Sequence, residues 1–231
     1  MNSDSTKDQR ISGNIRAVIL DVATLFTIEN PWYWLKRYTK TKIHSFEMAY
    51  KLGSMESEYE ALHREINLLR WSIGHESVDK VIEDAFNKLP FIFNAEDFLK
   101  WLSSSDLKIA VLGGAPRPII NRLAKILKNS LRFYDEIWVD RDSRGEIIAK
   151  PIKYGRLNVL KAANDFLSNE GLSWENIITI ARDRFFKEVT RLSRVSIAFN
   201  PIDDEIVENV SYVVRGYASD LKRQLEKIMS I

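Results

Sequence analysis

The chain has 231 residues, enough for one large domain or for a core with an insertion. Its 34 Lys and Arg against 32 Asp and Glu leave a net charge of +2, which gives no electrostatic case for a nucleic acid or other polyanionic partner. The absence of cysteine excludes disulfides, thiolate zinc sites and cysteine nucleophiles, and no apolar run approaches the ~18 residues of a membrane span.

The first stretch, "MNSDSTKDQRISGN", is polar, lacks an apolar signal core and reads as a short disordered arm, so the expected location is cytoplasmic. "IRAVIL" (15–20) is a β-branched apolar run, the pattern of a buried strand, and it ends at Asp21. From residue 30 to about 93 the apolar spacing becomes helical, through "PWYWLKRYTK", "SFEMAYKLG", "SEYEALHREINLLRWSIG" and "SVDKVIEDAFNKL". Pro31 suits a helix start, and Gly53 and Gly74 suit helix stops. This stretch is expected to be a helical cap of three or four helices inserted after the first strand. Residues 1–29 and 94–231 then form the α/β core, which is expected to fold without the cap.

Alternation of strand and helix resumes after the insert. "AEDFLKWLSSS" is a helix, "KIAVLGG" (108–114) a strand ending in glycines, and "PIINRLAKILKNS" a helix. "YDEIWVDRDSRGEIIAK" reads as a hairpin about a polar turn ending at Gly145. A helix over "GRLNVLKAANDFLSNEG", a strand at "NIITIA" (176–181), a helix at "RDRFFKEVTRLS", a strand at "VSIAFN" (195–200), a short strand at "YVVRG" and a closing helix complete the pattern. Such alternation predicts an α/β fold, a Rossmann-like parallel sheet with helices on both faces. Ligands in such sheets sit beyond the carboxyl ends of the strands.

The residues at those ends are Asp21, then Gly113 and Gly114, then Arg182 and Asp183, then Asn200; Lys150 and Lys153 precede the helix that follows the hairpin. With the strings "AVILDVATLF", "IAVLGGAPRPIINRL" and "SIAFNP", this layout resembles the haloacid dehalogenase-like superfamily, in its phosphoserine phosphatase-like branch with a helical cap. The resemblance covers roughly residues 14–230. It implies that Asp21 holds the place of the nucleophile that attacks phosphorus, and that Lys150 or Lys153 holds the place of the lysine that neutralises developing charge. It also implies several losses. Ala23 stands where the family has its general acid and base, and a methyl group carries no proton. Gly113 stands where a Ser or Thr binds the phosphoryl group, leaving only backbone N–H groups there and at Gly114. Counting back from "SIAFN", the two metal-binding aspartates fall on Arg182 and Phe186; a one-residue shift brings in Asp183 but puts Lys187 at the second place. Neither set restores both carboxylates that Mg²⁺ requires, so no metal site and no cofactor are expected.

Plainer readings stand beside these. Asp21 can be a turn cap, the lysines solvated surface groups, and Gly113–Gly114 a tight strand-to-helix turn in which Pro116 and Pro118 remove N–H donors. "WYWLKRYTKTK" mixes aromatics with basic residues but lies in no nucleic-acid-binding pattern and reads as an amphipathic helix. His44, His63 and His75 lack metal-site spacing.

Three functional readings follow. The first is a haloacid dehalogenase-like protein that has lost phosphatase catalysis and keeps a core–cap cleft for a small anionic ligand or a protein partner. The second is an active phosphomonoester hydrolase with a rearranged site, using Asp21, a lysine, Asp183 and Mg²⁺. The third is a structural or oligomeric subunit with an empty cleft. Neither nucleic acid nor membrane is an expected partner. If the metal is lost, the Arg182 guanidinium is expected to reach toward Asp21 and lower its pKa.

Overall fold

The computed structural model describes residues 14–27, 31–39, 63–64, 66–67, 69–71, 77–137, 139–141, 143–144, 147–149 and 153–229. Strand β1 (Ala17–Asp21) lies at the centre of a six-stranded sheet with β2 (Lys108–Pro116), β3 (Leu131–Ile137), β6 (Ile177–Ala181), β7 (Val195–Phe199) and β8 (Tyr212–Val214). The order is β3-β2-β1-β6-β7-β8, and every neighbouring pair is parallel. Leu20 faces Val111 on one side and Ile180 on the other, which sets the carboxyl ends of β1, β2 and β6 level. β4 (Val139–Arg141) and β5 (Ile147–Ala149) form a separate antiparallel pair. The expected hairpin is therefore present in its distal part, while Tyr134–Ile137 belongs to β3 of the main sheet.

The period-two alternation of strand side chains builds two core layers. Val18, Leu20, Ile109, Val111, Ile178 and Ile180 enter one layer. It is covered by α2 (Val78–Asn87), α3 (Ala95–Ser103), α4 (Arg117–Leu127) and α8 (Ala218–Met229). Ala17, Ile19, Ala110, Leu112, Ile177 and Ala181 face the other layer, which meets α5 (Val159–Glu170), α6 (Lys187–Leu192) and α7 (Asp204–Val207). Asp21 has the parity of Ala17 and Ile19, so its side chain is directed to the α5–α6 side.

Within the insert, α1 (Pro31–Thr39) begins at Pro31, and residues 63–64, 66–67, 69–71 and 78–87 are helical. Gly53, Gly74, His44, His75 and Lys150 lie outside the described residues. The insert shares the core's apolar layer rather than forming its own: Leu35, Ile66, Leu69, Ile82 and Phe86 are buried in the cluster that holds Phe26, Leu99 and Leu123. Trp34 Nε1 donates to Ala85 O at 2.6 Å, and the Arg122 guanidinium donates to Phe86 O and Leu89 O at 3.1 and 2.7 Å. The chain leaves and re-enters the core through one clasp. Phe26 and Phe91 stack with ring centroids 5.0 Å apart, and Ile92 N–H donates to Leu25 O at 3.0 Å.

Because Phe86 seals this shared layer, Phe86→Ala is expected to lower the unfolding free energy by about 3–5 kcal/mol, measured by urea denaturation. A loss under about 1 kcal/mol would mean that the insert packs loosely on the core.

Candidate functional site

The buried run "AVILD" carries Asp21 to the carboxyl end of the central strand, where it has no solvent exposure. An isolated buried carboxylate costs several kcal/mol unless it is hydrogen-bonded or neutralised. Both oxygens are engaged by backbone donors. Oδ1 accepts from Ala23 N–H at 2.9 Å, and Oδ2 accepts from Arg182 N–H at 3.1 Å. The first bond makes Asp21 the N-cap of the 3₁₀ turn Val22–Leu25, and Thr24 Oγ1 donates to Asp21 O at 2.6 Å within the same turn. Ala23, at the acid–base position of the resemblance, thus contributes an N–H group and a buried methyl.

The principal cation acting on Asp21 is Arg156, a residue that the sequence reading did not single out. Its guanidinium forms an ion pair with Asp183, and the two side chains are 6% and 2% exposed. It also lies 5.5 Å above the Phe185 ring. Asp183 uses its other oxygen to accept from Phe185 N–H at 3.1 Å, capping the 3₁₀ turn Arg184–Phe186. Arg156 comes from the turn before α5, where Gly155 packs against Gly114 and Tyr154 is buried with its hydroxyl donating to Asp165 Oδ2 at 2.5 Å. Lys153, one candidate for the charge-neutralising lysine, is exposed, with Nζ 4.6 Å from the centre of the Tyr154 ring. After the exposed Lys153 the chain turns inward, with Tyr154, Gly155 and Arg156 all buried, so the inward cation is Arg156. The signal available in the sequence was the proximity of "YGR" to the helix start, closer than either lysine.

Arg182 is beside Asp21 through its backbone rather than its side chain. The guanidinium donates to Ala23 O and Phe26 O at 3.3 and 3.2 Å, and Ala23 O also accepts the Phe26 N–H that closes the turn after β1. The expected lowering of the Asp21 pKa is also reversed. Burial raises it, and this outweighs the opposing pull of Arg156, of the Ala23 and Arg182 N–H groups and of the Arg182 charge.

Gly113 and Gly114 are buried at the end of β2 with φ of +101° and +74°, a region that L side chains rarely adopt. A Cβ on Gly113 would stand 3.3 Å from Asp21 Oδ1 and 3.5 Å from the Phe186 ring, and one on Gly114 only 2.5 Å from Ile137 Cδ1. Phe186, at the second metal position of the resemblance, is fully buried. Among the described residues, the donor set does not fit Mg²⁺. Asp21 and Asp183 are committed to N–H groups and a guanidinium, Ala23, Arg182 and Phe186 bring no oxygen side chain, and the described residues hold no cluster of three or more His, Asp or Glu placed for a metal.

No protein-family profile and no curated protein sequence matches the chain. Solved structures do. A phospho-aspartyl intermediate analogue of phosphoserine phosphatase superposes with a TM-score of 0.66 at 14% identity, covering 92% of this chain and 98% of its own. A substrate-bound phosphoserine phosphatase gives 0.67 at 12%, covering 92% and 97%. A haloacid dehalogenase family hydrolase from Salmonella enterica subsp. enterica serovar Typhi gives 0.71 at 16%, covering 96% of this chain and 72% of its own. The chain therefore shares the α/β fold of these phosphatase and hydrolase structures, and the likeness to phosphoserine phosphatase extends through nearly the full length of both chains.

Two outcomes follow from this geometry. The raised pKa means that folded Asp21 holds its proton more tightly than unfolded Asp21. Its contribution to stability is therefore fully present below the ordinary value of 3.8 and is lost as pH rises through the raised folded value. The stability of the natural chain relative to Asp21→Asn should fall as pH rises from about 4 toward neutrality, measured by urea unfolding at several pH values; a relative stability that climbs instead would show a depressed pKa. Gly113→Ser, which restores the family's hydroxyl, should cost about 1–3 kcal/mol because of its positive φ and the contact with Asp21. A neutral effect in the same assay would show that the turn relaxes freely.

Proposed function

We propose that this chain is a haloacid dehalogenase-like protein that no longer transfers phosphoryl groups and that works by binding. The observation that carries this reading is the state of Asp21: no exposed surface, and both oxygens held by backbone N–H groups. A nucleophilic carboxylate must present an open oxygen to phosphorus, and its partner must move protons to the leaving group and from the attacking water. Here the partner position of the resemblance is Ala23, and among the described residues no group of three or more acidic or His side chains stands ready for the metal of the charge clamp on which phosphoryl transfer depends.

The binding role falls to the face between core and insert. Of the two occupants that suit it, a small anionic ligand or a protein partner, exposed aromatics favour the protein. Phe93, where the insert rejoins the core, is 66% exposed and packs edge-on against Tyr217, 58% exposed, at 5.3 Å. Exposed aromatic pairs of this kind are typical anchors of protein interfaces.

A screen of phosphomonoesters with Mg²⁺ is expected to show no turnover near the ~1 s⁻¹ at the low end of ordinary enzymes. Turnover at that level, abolished by Asp21→Asn, would overturn the loss of catalysis. A parallel thermal-shift screen of phosphorylated metabolites is expected to leave the melting temperature unchanged; a saturable rise would reassign the face to a small anion.

A further inference from the structure

We infer that Arg156 is a built-in cation that takes the place of the divalent ion in this fold, holding the buried carboxylates of Asp21 and Asp183 together without metal. The two aspartates come from the carboxyl ends of neighbouring strands, β1 and β6, and both are shut off from water. Two such carboxylates repel each other and need a shared counter-charge. Arg156 is paired directly with Asp183 and is the largest charge acting on Asp21. A guanidinium suits this work because it stays protonated at every relevant pH and presents five donors in a rigid plane, so it can serve more than one carboxylate.

The surroundings fix this cation as a coordination shell would fix an ion. Phe185 lies under the guanidinium. Gly155, in a left-handed conformation (φ +63°), lets the turn close onto Gly114, with Gly155 Cα 3.5 Å from where a Gly114 Cβ would stand. The buried Tyr154, bonded to Asp165, anchors the turn on the adjoining side. Replacing Arg156 by Mg²⁺ would require both aspartates to give up these partners, and adding Mg²⁺ would set two cations side by side. The inference concerns the site on which the proposed function rests, yet the two fail separately. Phosphatase turnover that persists in EDTA would overturn the proposed function alone, and Mg²⁺ binding without turnover would overturn this inference alone.

The test uses the full chain and reads melting temperature in EDTA and in MgCl₂. The natural chain should melt at the same temperature in both. Arg156→Met should melt about 10 °C lower in EDTA, as expected for stranding buried charges, and MgCl₂ should recover a measurable part of that loss, because the aspartates then lack a cation. If Arg156→Met is insoluble, Arg156→Met/Asp183→Asn replaces it; removing one stranded carboxylate should restore soluble, cooperatively melting protein. The inference is overturned if Mg²⁺ raises the melting temperature of the natural chain and Asp21→Asn abolishes the rise. It is also overturned if Arg156→Met melts like the natural chain, if it melts lower but ignores Mg²⁺, or if the double variant is no more soluble than the single one.

Discussion

A carboxylate without solvent contact at the end of the central strand constrains everything around it. In its charged form Asp21 is held in that place by donors on both oxygens and a cation nearby. The turn after β1 supplies one donor, the start of the turn after β6 supplies the other, and Arg156 supplies the charge. Gly113 suits this place because its φ of +101° strains any L side chain and a Cβ there would crowd Asp21 Oδ1 at 3.3 Å. The apolar Phe186 ring closes the remaining side and keeps the local dielectric low, which strengthens the charge interactions and keeps the Asp21 pKa raised.

The same network ties the site to the insert. Arg182 presents its N–H to Asp21 while its guanidinium holds Ala23 O and Phe26 O. Phe26 in turn stacks on Phe91, where the insert returns. One residue, Arg182, thus links the Asp21 turn to the clasp between core and insert.

Much of the fold was legible from strand ends and helical spacing. The parallel sheet, the carboxyl-end cluster of Asp21, Gly113, Gly114, Arg182 and Asp183, and the helix start at Pro31 all follow from period and punctuation. Three features were not. β3 was absorbed into the hairpin because "LRFYDEI" alternates exposed and half-buried positions, as an edge strand does. The direction of the Arg182 side chain depended on where the turn after β1 places the Ala23 and Phe26 carbonyls, a tertiary detail without a local sequence signal. Arg156 was passed over because two lysines matched a family position, whereas burial selected the residue whose turn points inward. The sign of the Asp21 shift had a separate cause: pairing with an arginine suggested a lowered pKa, but complete burial raises it by more than Arg156 and the N–H groups lower it.

The central claim is that the counter-charge for these carboxylates is part of the chain. Diffraction from crystals of the natural chain grown in millimolar MnCl₂, recorded at the manganese absorption edge, tests it most directly, since Mn²⁺ accepts the same hard oxygen ligands as Mg²⁺. The predicted result is no anomalous peak between Asp21 and Asp183, with the Arg156 guanidinium resolved beside both. An anomalous peak bridging the two carboxylates, with Arg156 displaced, would contradict it.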